Sequence, residues 1–219
     1  MKLAVGYPWD SPFMFSAFVE TALNIKSPVD VETRWIRGIG WCSARMHTDI
    51  AEKSLAWGAD LICFLGSDQV YDEDILLRLM ARYHEGYEVI SAMVPIRGHV
   101  TGQNSKPFQP MAWRKVDNAF QPIKPGDGDV QEIDLIGTGV FMFPTELLHH
   151  LKKPWFKVPI DFETYRRTCA EDGLFIVRLK QEAKARIFVD TTIKVKHSHV
   201  FDIDESFLQR FPDWPDCRE

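Results

Sequence analysis

The sequence contains no C-x-x-C pair: its four cysteines stand at positions 42, 63, 169 and 217 of 219. That spacing suggests neither a zinc site nor a disulfide frame, and the four read as reduced thiols. Missing too are both glycine-rich phosphate loops, G-x-G-x-x-G and G-x-x-x-x-G-K-[ST]. A dinucleotide grip and a P-loop are therefore excluded, and a diphosphate bound by this chain needs local positive charge or a cation. No stretch approaches the ~20 apolar residues of a membrane span, and the apolar start ends at Pro8, too short for a secretory core. A cytoplasmic protein without a membrane span is expected. Excess positive charge is also absent: a net charge of -5 leaves no footprint for bulk nucleic-acid binding.

What is present is an alternation of short apolar runs with segments of helical spacing. Leu3 to Tyr7 reads as a strand and Ser16 to Ile25 as a helix with Phe18, Val19, Ala22 and Leu23 on its apolar positions. Val31 to Ile36 alternates as an edge strand does. Ser43 is a plausible N-cap for a helix to about Trp57, ended by Gly58. The run Leu61-Ile62-Cys63-Phe64-Leu65 then stops at Gly66-Ser67-Asp68, the signature of a strand buried on both faces. Asp72 to Asp74 open a helix over Ile75 to Tyr83 that Gly86 closes, and Val89 to Val94 is another buried strand. Strand and helix in turn over the first 95 residues argue an α/β, Rossmann-type, mostly parallel sheet with helices on both faces.

Beyond Pro95 the pattern loosens. Prolines, glycines and polar residues to Asp129 read as surface loop, with Met111 to Val116 the one short strand. Ile133 to Phe143 reads as a strand around Gly137-Thr138-Gly139, and Thr145 to Leu151 as a short helix. Lys152 to Arg167 is an aromatic and charged loop; Glu171-Asp172 opens a helix to Ala183. Ile187 to Val189 and Ile193 to Val195 are expected as two strands separated by Asp190-Thr191-Thr192, with His197-Ser198-His199 following.

The turn after a central parallel strand is where α/β proteins bind ligands, because strand carboxyl ends open into the crevice between helices. Asp68 at that turn can ligate a hard divalent cation beside substrate phosphates, or simply cap the turn. Glu171 and Asp172 at a helix start are suited to hold an ionised carboxylate, or to cap. Imidazole beside carboxylate suits manganese, which brings in His197 and, two residues on, His199.

Taken in order, Gly66-Ser67-Asp68, IGTGVFM, AEDGLF and VDTTIKVKH resemble the motifs of GT-A-fold nucleotide-sugar glycosyltransferases, above all the large inverting group. The resemblance spans nearly the whole chain. It implies a D-x-D-like metal site with Asp68 as ligand of Mn2+ or Mg2+, His197 or His199 as its partner, and Asp172, with Glu171 as the second candidate, as catalytic base. Tyr7, Arg45, Ser67 and the turn Gly137-Thr138-Gly139 fall where the family contacts its nucleotide-diphospho-sugar donor. Trp113, Trp155 and Phe156 are a candidate sugar platform for an unknown hydroxyl acceptor, with core packing expected for at least one of them. The chain departs from the family at Gly66, which stands where the first aspartate of D-x-D is usual and loses a sugar contact. A tight turn is the structural reason expected for this glycine.

The resemblance also implies one domain over 1–219, with a nucleotide-binding lobe at 1–95, a smaller mixed acceptor-side lobe at 96–200 and a tail at 201–219. Two other functions stand beside it. A nucleotidyltransferase shares such a sheet but needs a basic, glycine-rich loop after the first strand, and Gly6-Tyr7-Pro8-Trp9-Asp10 is neither. A catalytically silent nucleotide-sugar-binding protein is the reading that Gly66 favours.

Overall fold

The structure, a computed structural model, describes residues 1–9, 14–96, 110–117, 119–124, 128–161, 163, 166–167 and 170–198. Along the chain run β1 (Lys2–Pro8), α1 (Ser16–Asn24), β2 (Glu32–Gly38), α2 (Ser43–Trp57), β3 (Leu61–Leu65), β4 (Gln69–Val70), α3 (Ile75–His84) and β5 (Val89–Met93). There follow β6 (Ala112–Val116), β7 (Ala119–Pro122), β8 (Val130–Ile133), β9 (Leu135–Ile136) and β10 (Val140–Pro144), then a 3-10 turn over Thr145–His150. The last elements are β11 (Ile160–Asp161), β12 (Arg166–Arg167), α4 (Glu171–Gln181), β13 (Ile187–Lys194) and β14 (Lys196–His197).

A seven-stranded sheet in the order β2-β1-β3-β10-β5-β13-β8 forms the centre. Strands β2, β1, β3, β5 and β13 run one way, while β10 and β8 run antiparallel to their neighbours. The α/β class with a mostly parallel sheet is the one the apolar runs imply. Because side chains alternate along a strand, each run feeds two cores. Ile62 and Phe64 of β3 pack on α2 and α4 through Ile50, Ala51, Phe175 and Leu179. Leu61, Cys63 and Leu65 face α1 and α3 through Phe18, Ile75 and Leu79. Helices thus cover both faces. Phe64, Phe141, Phe143 and Phe175 are fully buried, each worth about 2 kcal/mol in water-excluded apolar surface.

Local signals end the elements where expected in several places. Gly58 closes α2 at φ 73°, donating its N–H to Leu55 and Ser54 carbonyls, and Gly86 follows α3 at φ 96°. Only glycine takes that region without steric cost.

Elsewhere the structure differs. The N-cap of α2 is Cys42, not Ser43, and α3 begins after Asp74, so Asp72 to Asp74 precede it instead of forming its first turn. Two strands were hidden in the loop-like composition: exposed β7 pairs with β6, and β8 with β13. The strands expected at 187–189 and 193–195 are one strand, β13, with an irregularity between Asp190 and Lys194. A separate three-stranded sheet has the order β7-β6-β9, and β14 pairs with β4. Among the described residues no helix is long and apolar enough to cross a membrane.

Candidate active site

The buried strand β3 ends at Gly66, whose N–H donates to the Gly139 carbonyl at 2.7 Å. This bond brings the Gly137-Thr138-Gly139 turn beside the Asp68 turn. The buried Tyr71 hydroxyl donates to the Gly66 carbonyl at 2.7 Å, with Gln69 Oε1 as a second acceptor at 3.1 Å. Burial, then the Asp68 charge, holds this phenol protonated well above its ordinary range. The turn is therefore fixed from both sides by protein atoms.

On that turn β4 pairs with β14, His197 lying opposite Gln69, and the Ser198 N–H donates to the Asp68 carbonyl at 2.8 Å. His197 Nε2 comes to 3.0 Å from Asp68 Oδ2, and its Nδ1 to 3.0 Å from the Pro95 carbonyl. A carbonyl only accepts, so Nδ1 carries the proton. In the neutral ring Nε2 then holds a lone pair facing a carboxylate oxygen. Two acceptors at that distance need a proton on one of them or a cation that both ligate. A histidine whose far nitrogen donates to a backbone carbonyl has the tautomer and orientation of a metal ligand.

These two residues fit a hard divalent cation. Among the described residues no group of three or more His, Cys, Asp or Glu side chains gathers as a metal cage, but magnesium and manganese sites often use one or two protein ligands and complete their shell with substrate phosphates and water. His199 lies outside the described residues. Ser67 sits on the same turn, half-buried.

Gly66 opens the expected tight turn, the Gln69 N–H donating to its carbonyl at 3.3 Å, but the turn itself does not require glycine. Gly66 does not adopt a positive φ; instead a Cβ there would meet Gln69 Nε2 at 2.9 Å, Gln69 Cδ at 3.0 Å and Asp68 Oδ1 at 3.1 Å. A Cβ at Gly139 would meet the same Nε2 at 2.2 Å. The Gln69 amide, itself buried, takes up the space that side chains at 66 and 139 would need.

A second polar cluster lies behind the glycine turn. Thr138 is buried, its Oγ1 3.4 Å from His47 Nε2. The His47 ring packs edge-on to Phe64 at 4.8 Å and against Phe156 at 5.1 Å, and among the described residues its Nδ1 has no partner within hydrogen-bond geometry. Burial pulls its pKa down to about 4 although the Glu171 charge opposes the shift. His47 is a neutral core histidine. Glu171 is buried and accepts a hydrogen bond from the Ser43 hydroxyl, tying the start of α4 to the start of α2.

The Glu171-Asp172 pair is thus divided. Both fall in the first turn of α4, whose N-cap is Ala170 without a side-chain bond. Glu171 turns inward, whereas Asp172 is half-buried with Oδ1 accepting the Gly173 N–H at 2.7 Å. Tyr7, at the end of β1, is half-buried between Phe18 and Trp35, with ring centroids 6.0 and 6.1 Å away. Arg45 is exposed and reaches Glu52 at 3.5 Å. The aromatic platform does not form as expected. Trp155 and Phe156 are core residues, 3% and 2% exposed, with Phe156 stacked on Phe175 at 4.1 Å; Trp113 is part of the β6 hairpin and half-buried.

Three residues matter that the sequence did not single out, His47, Gln69 and Tyr71, and a fourth, Ser43, was expected only as a helix cap. Ser43 and His47 are one helical turn apart on α2, a spacing that places both on one face. Nothing in the sequence indicated that α4 would cover that face.

No protein-family model and no curated protein matches the chain in sequence. Among solved structures it is similar to A197 from STIV, at 18% identity and TM-score 0.60, over 94% of this chain and 87% of that one. That likeness is one of fold. Weaker likenesses, each at TM-score 0.49, are to S. aureus TarS 1-349 in complex with UDP-GlcNAc and to a UDP-glucose pyrophosphorylase complexed with UDP-glucose. Identities are 15% and 10%; coverage is 94% of this chain and 61% of the TarS chain, and 87% and 90% for the pyrophosphorylase.

Proposed function

We propose that the chain is a glycosyltransferase that moves a sugar from a nucleotide-diphospho-sugar to an acceptor hydroxyl. The observation that supports this reading is the Asp68–His197 pair, 3.0 Å apart at the carboxyl end of the central strand β3. Asp68 and His197 are the residues that would hold Mn2+ or Mg2+. Such an ion, when bound, neutralises charge that develops on a leaving diphosphate.

The chain's own residues supply the rest. The Gly66–Gly139 backbone bond and the Tyr71 hydroxyl hold the turn that carries Asp68, so its carboxylate needs no reorganisation on donor binding. Pro95 fixes the His197 ring through Nδ1. Asp172 is the proposed base: it accepts the proton of the attacking hydroxyl, opposite the leaving group, and inverts the anomeric centre. Glu171, turned to Ser43, anchors the helix that presents Asp172. Tyr7, Arg45, Ser67 and the Gly137-Thr138-Gly139 turn belong to the donor side in this reading, Thr138 acting from behind the turn because it is buried.

The test is turnover. A panel of nucleotide-diphospho-sugars incubated with Mn2+ should release a nucleoside diphosphate, slowly with water alone and faster with an acceptor. Release of inorganic pyrophosphate from a nucleoside triphosphate and a sugar phosphate would mark a nucleotidyltransferase instead. Binding without release from any donor would leave a silent binding protein.

A further inference from the structure

β13 carries more chain than its partner strand can match. Asp190 stands opposite Ala92, yet Lys194, four residues on, stands opposite Met93, the very next residue. Three residues are therefore extra, which draws the chain back by about 10 Å relative to an uninterrupted strand. An odd insertion also exchanges the two faces of everything that follows. His197, three residues beyond the end of β13, owes both its height and its facing to this bulge.

The bulge is fastened at named atoms. Asp190, 1% exposed, accepts at Oδ1 from the Thr192 N–H at 2.8 Å and the Thr192 hydroxyl at 2.6 Å. Its Oδ2 accepts from Arg82 Nε at 2.7 Å. One helical turn earlier on α3, an Arg78 guanidinium nitrogen donates to Thr192 Oγ1 at 2.9 Å. Opposite, Thr191 N–H donates to the Asp129 carbonyl at 2.7 Å and its hydroxyl to the Gly128 carbonyl at 3.0 Å. Beyond the bulge, the Val195 N–H returns to Met93 and the Ser198 N–H reaches Asp68.

We propose that Asp190 is a positioning residue for His197: with Arg82, Arg78 and Thr192 it locks the β13 bulge and so sets the imidazole against Asp68. Helix α3 follows the Asp68 turn after the short strand β4, and the same helix clamps the strand that delivers the other half of the pair. A buried carboxylate spent on this fold-back has no exposed surface with which to meet a ligand, and all its bonds are to the bulge and the helix. The metal consequence rests on the function proposed above; the positioning itself does not.

Two readouts on the full chain separate these. Without metal, the ring proton on His197 Nδ1, held by the Pro95 carbonyl, is followed by long-range proton–nitrogen NMR; separately, Mn2+ affinity is measured by electron paramagnetic resonance. The expected result is loss of the ordered ring proton and a fall of about 10-fold or more in Mn2+ affinity for Asp190→Ala, the usual effect of disturbing a ligand's support. Thr192→Val, an isosteric change at an exposed position, should move both readouts the same way in chain whose melting temperature shows it folded, and Thr192→Ser should restore them. An unchanged ring proton in Asp190→Ala and Thr192→Val overturns the positioning role. Wild-type chain that shows the ring proton but binds no Mn2+ overturns the metal reading alone, and loss of that proton in Thr192→Val then still supports positioning.

Discussion

His197 Nε2 lies 3.0 Å from Asp68 Oδ2 across 129 residues of sequence. The two are joined by β4–β14 pairing and by the Ser198–Asp68 backbone bond, so the contact is built by backbone geometry and not by chance approach of two flexible side chains. A functional account of the chain starts from that pair.

Asp172 is tested by an isosteric change. Asp172→Asn keeps an acceptor for the Gly173 N–H and removes the charge at the start of α4, worth about 0.3–1 kcal/mol. Melting temperature and donor affinity should barely move, while transfer falls roughly a hundredfold or more, as removal of a general base requires. Near-normal turnover would leave Asp172 as a first-turn acid and nothing more.

His47 makes stability depend on pH. Its folded pKa of about 4 lies below the ordinary 6.5, so between these values the unfolded chain binds a proton that the folded chain refuses. Stability is then full above pH 6.5 and falls as pH drops toward 4, by about 3 kcal/mol in all. Urea denaturation of wild type and His47→Leu across that window should show a slope in the first that is smaller in the second. Parallel curves would exclude His47 as the source.

Gly139 and Gln69 should be energetically coupled. Gly139→Ala drives a Cβ into the Gln69 amide and should cost about 1–3 kcal/mol by overpacking. Gln69→Ala in the same chain should recover about 1 kcal/mol or more of that loss, a coupling a double-mutant cycle reads directly. Additive effects would mean that the amide moves aside freely.

Arg178 stitches the aromatic segment to α4. Buried at 7% exposure, it donates to the carbonyls of Lys152, Pro154 and Trp155 and to the Glu182 carboxylate. Arg178→Met should destabilise by about 2–4 kcal/mol because the buried Trp155 carbonyl and the part-buried Lys152 and Pro154 carbonyls lose their donor. Arg178→Lys should rescue little, since an ammonium cannot span that fork. Thermal melts of the two variants give the answer.

These residues also show what could be read without the fold. The order of strands and helices was legible because β1, β3 and β5 are continuous apolar runs, and because α2 and α3 repeat apolar residues on one face. Asp68 was legible as the residue at the end of the most buried run, and His197 by its place after the last strand. The bulge was not: Asp190-Thr191-Thr192 looks like a break between two strands, and only the Arg82 and Arg78 contacts, more than a hundred residues away in sequence, make it part of one. Trp155 and Phe156 suited either a sugar platform or the core in sequence, and the Arg178 bonds to the carbonyls of Lys152, Pro154 and Trp155 go with the core. Likewise Glu171 and Asp172 are chemically alike in sequence, and it takes the Ser43 hydroxyl on α2 to divide them.

The central claim is that Asp68 and His197 bind a divalent cation together with a nucleoside diphosphate. Isothermal titration of a panel of nucleoside diphosphates into the full chain, with and without Mn2+, tests it most directly, comparing wild type with Asp68→Ala, His197→Ala and His199→Ala. The account predicts binding in wild type that requires Mn2+, lost in Asp68→Ala and His197→Ala at unchanged melting temperature and kept in His199→Ala. Mn2+-dependent binding that survives in both Asp68→Ala and His197→Ala would contradict it.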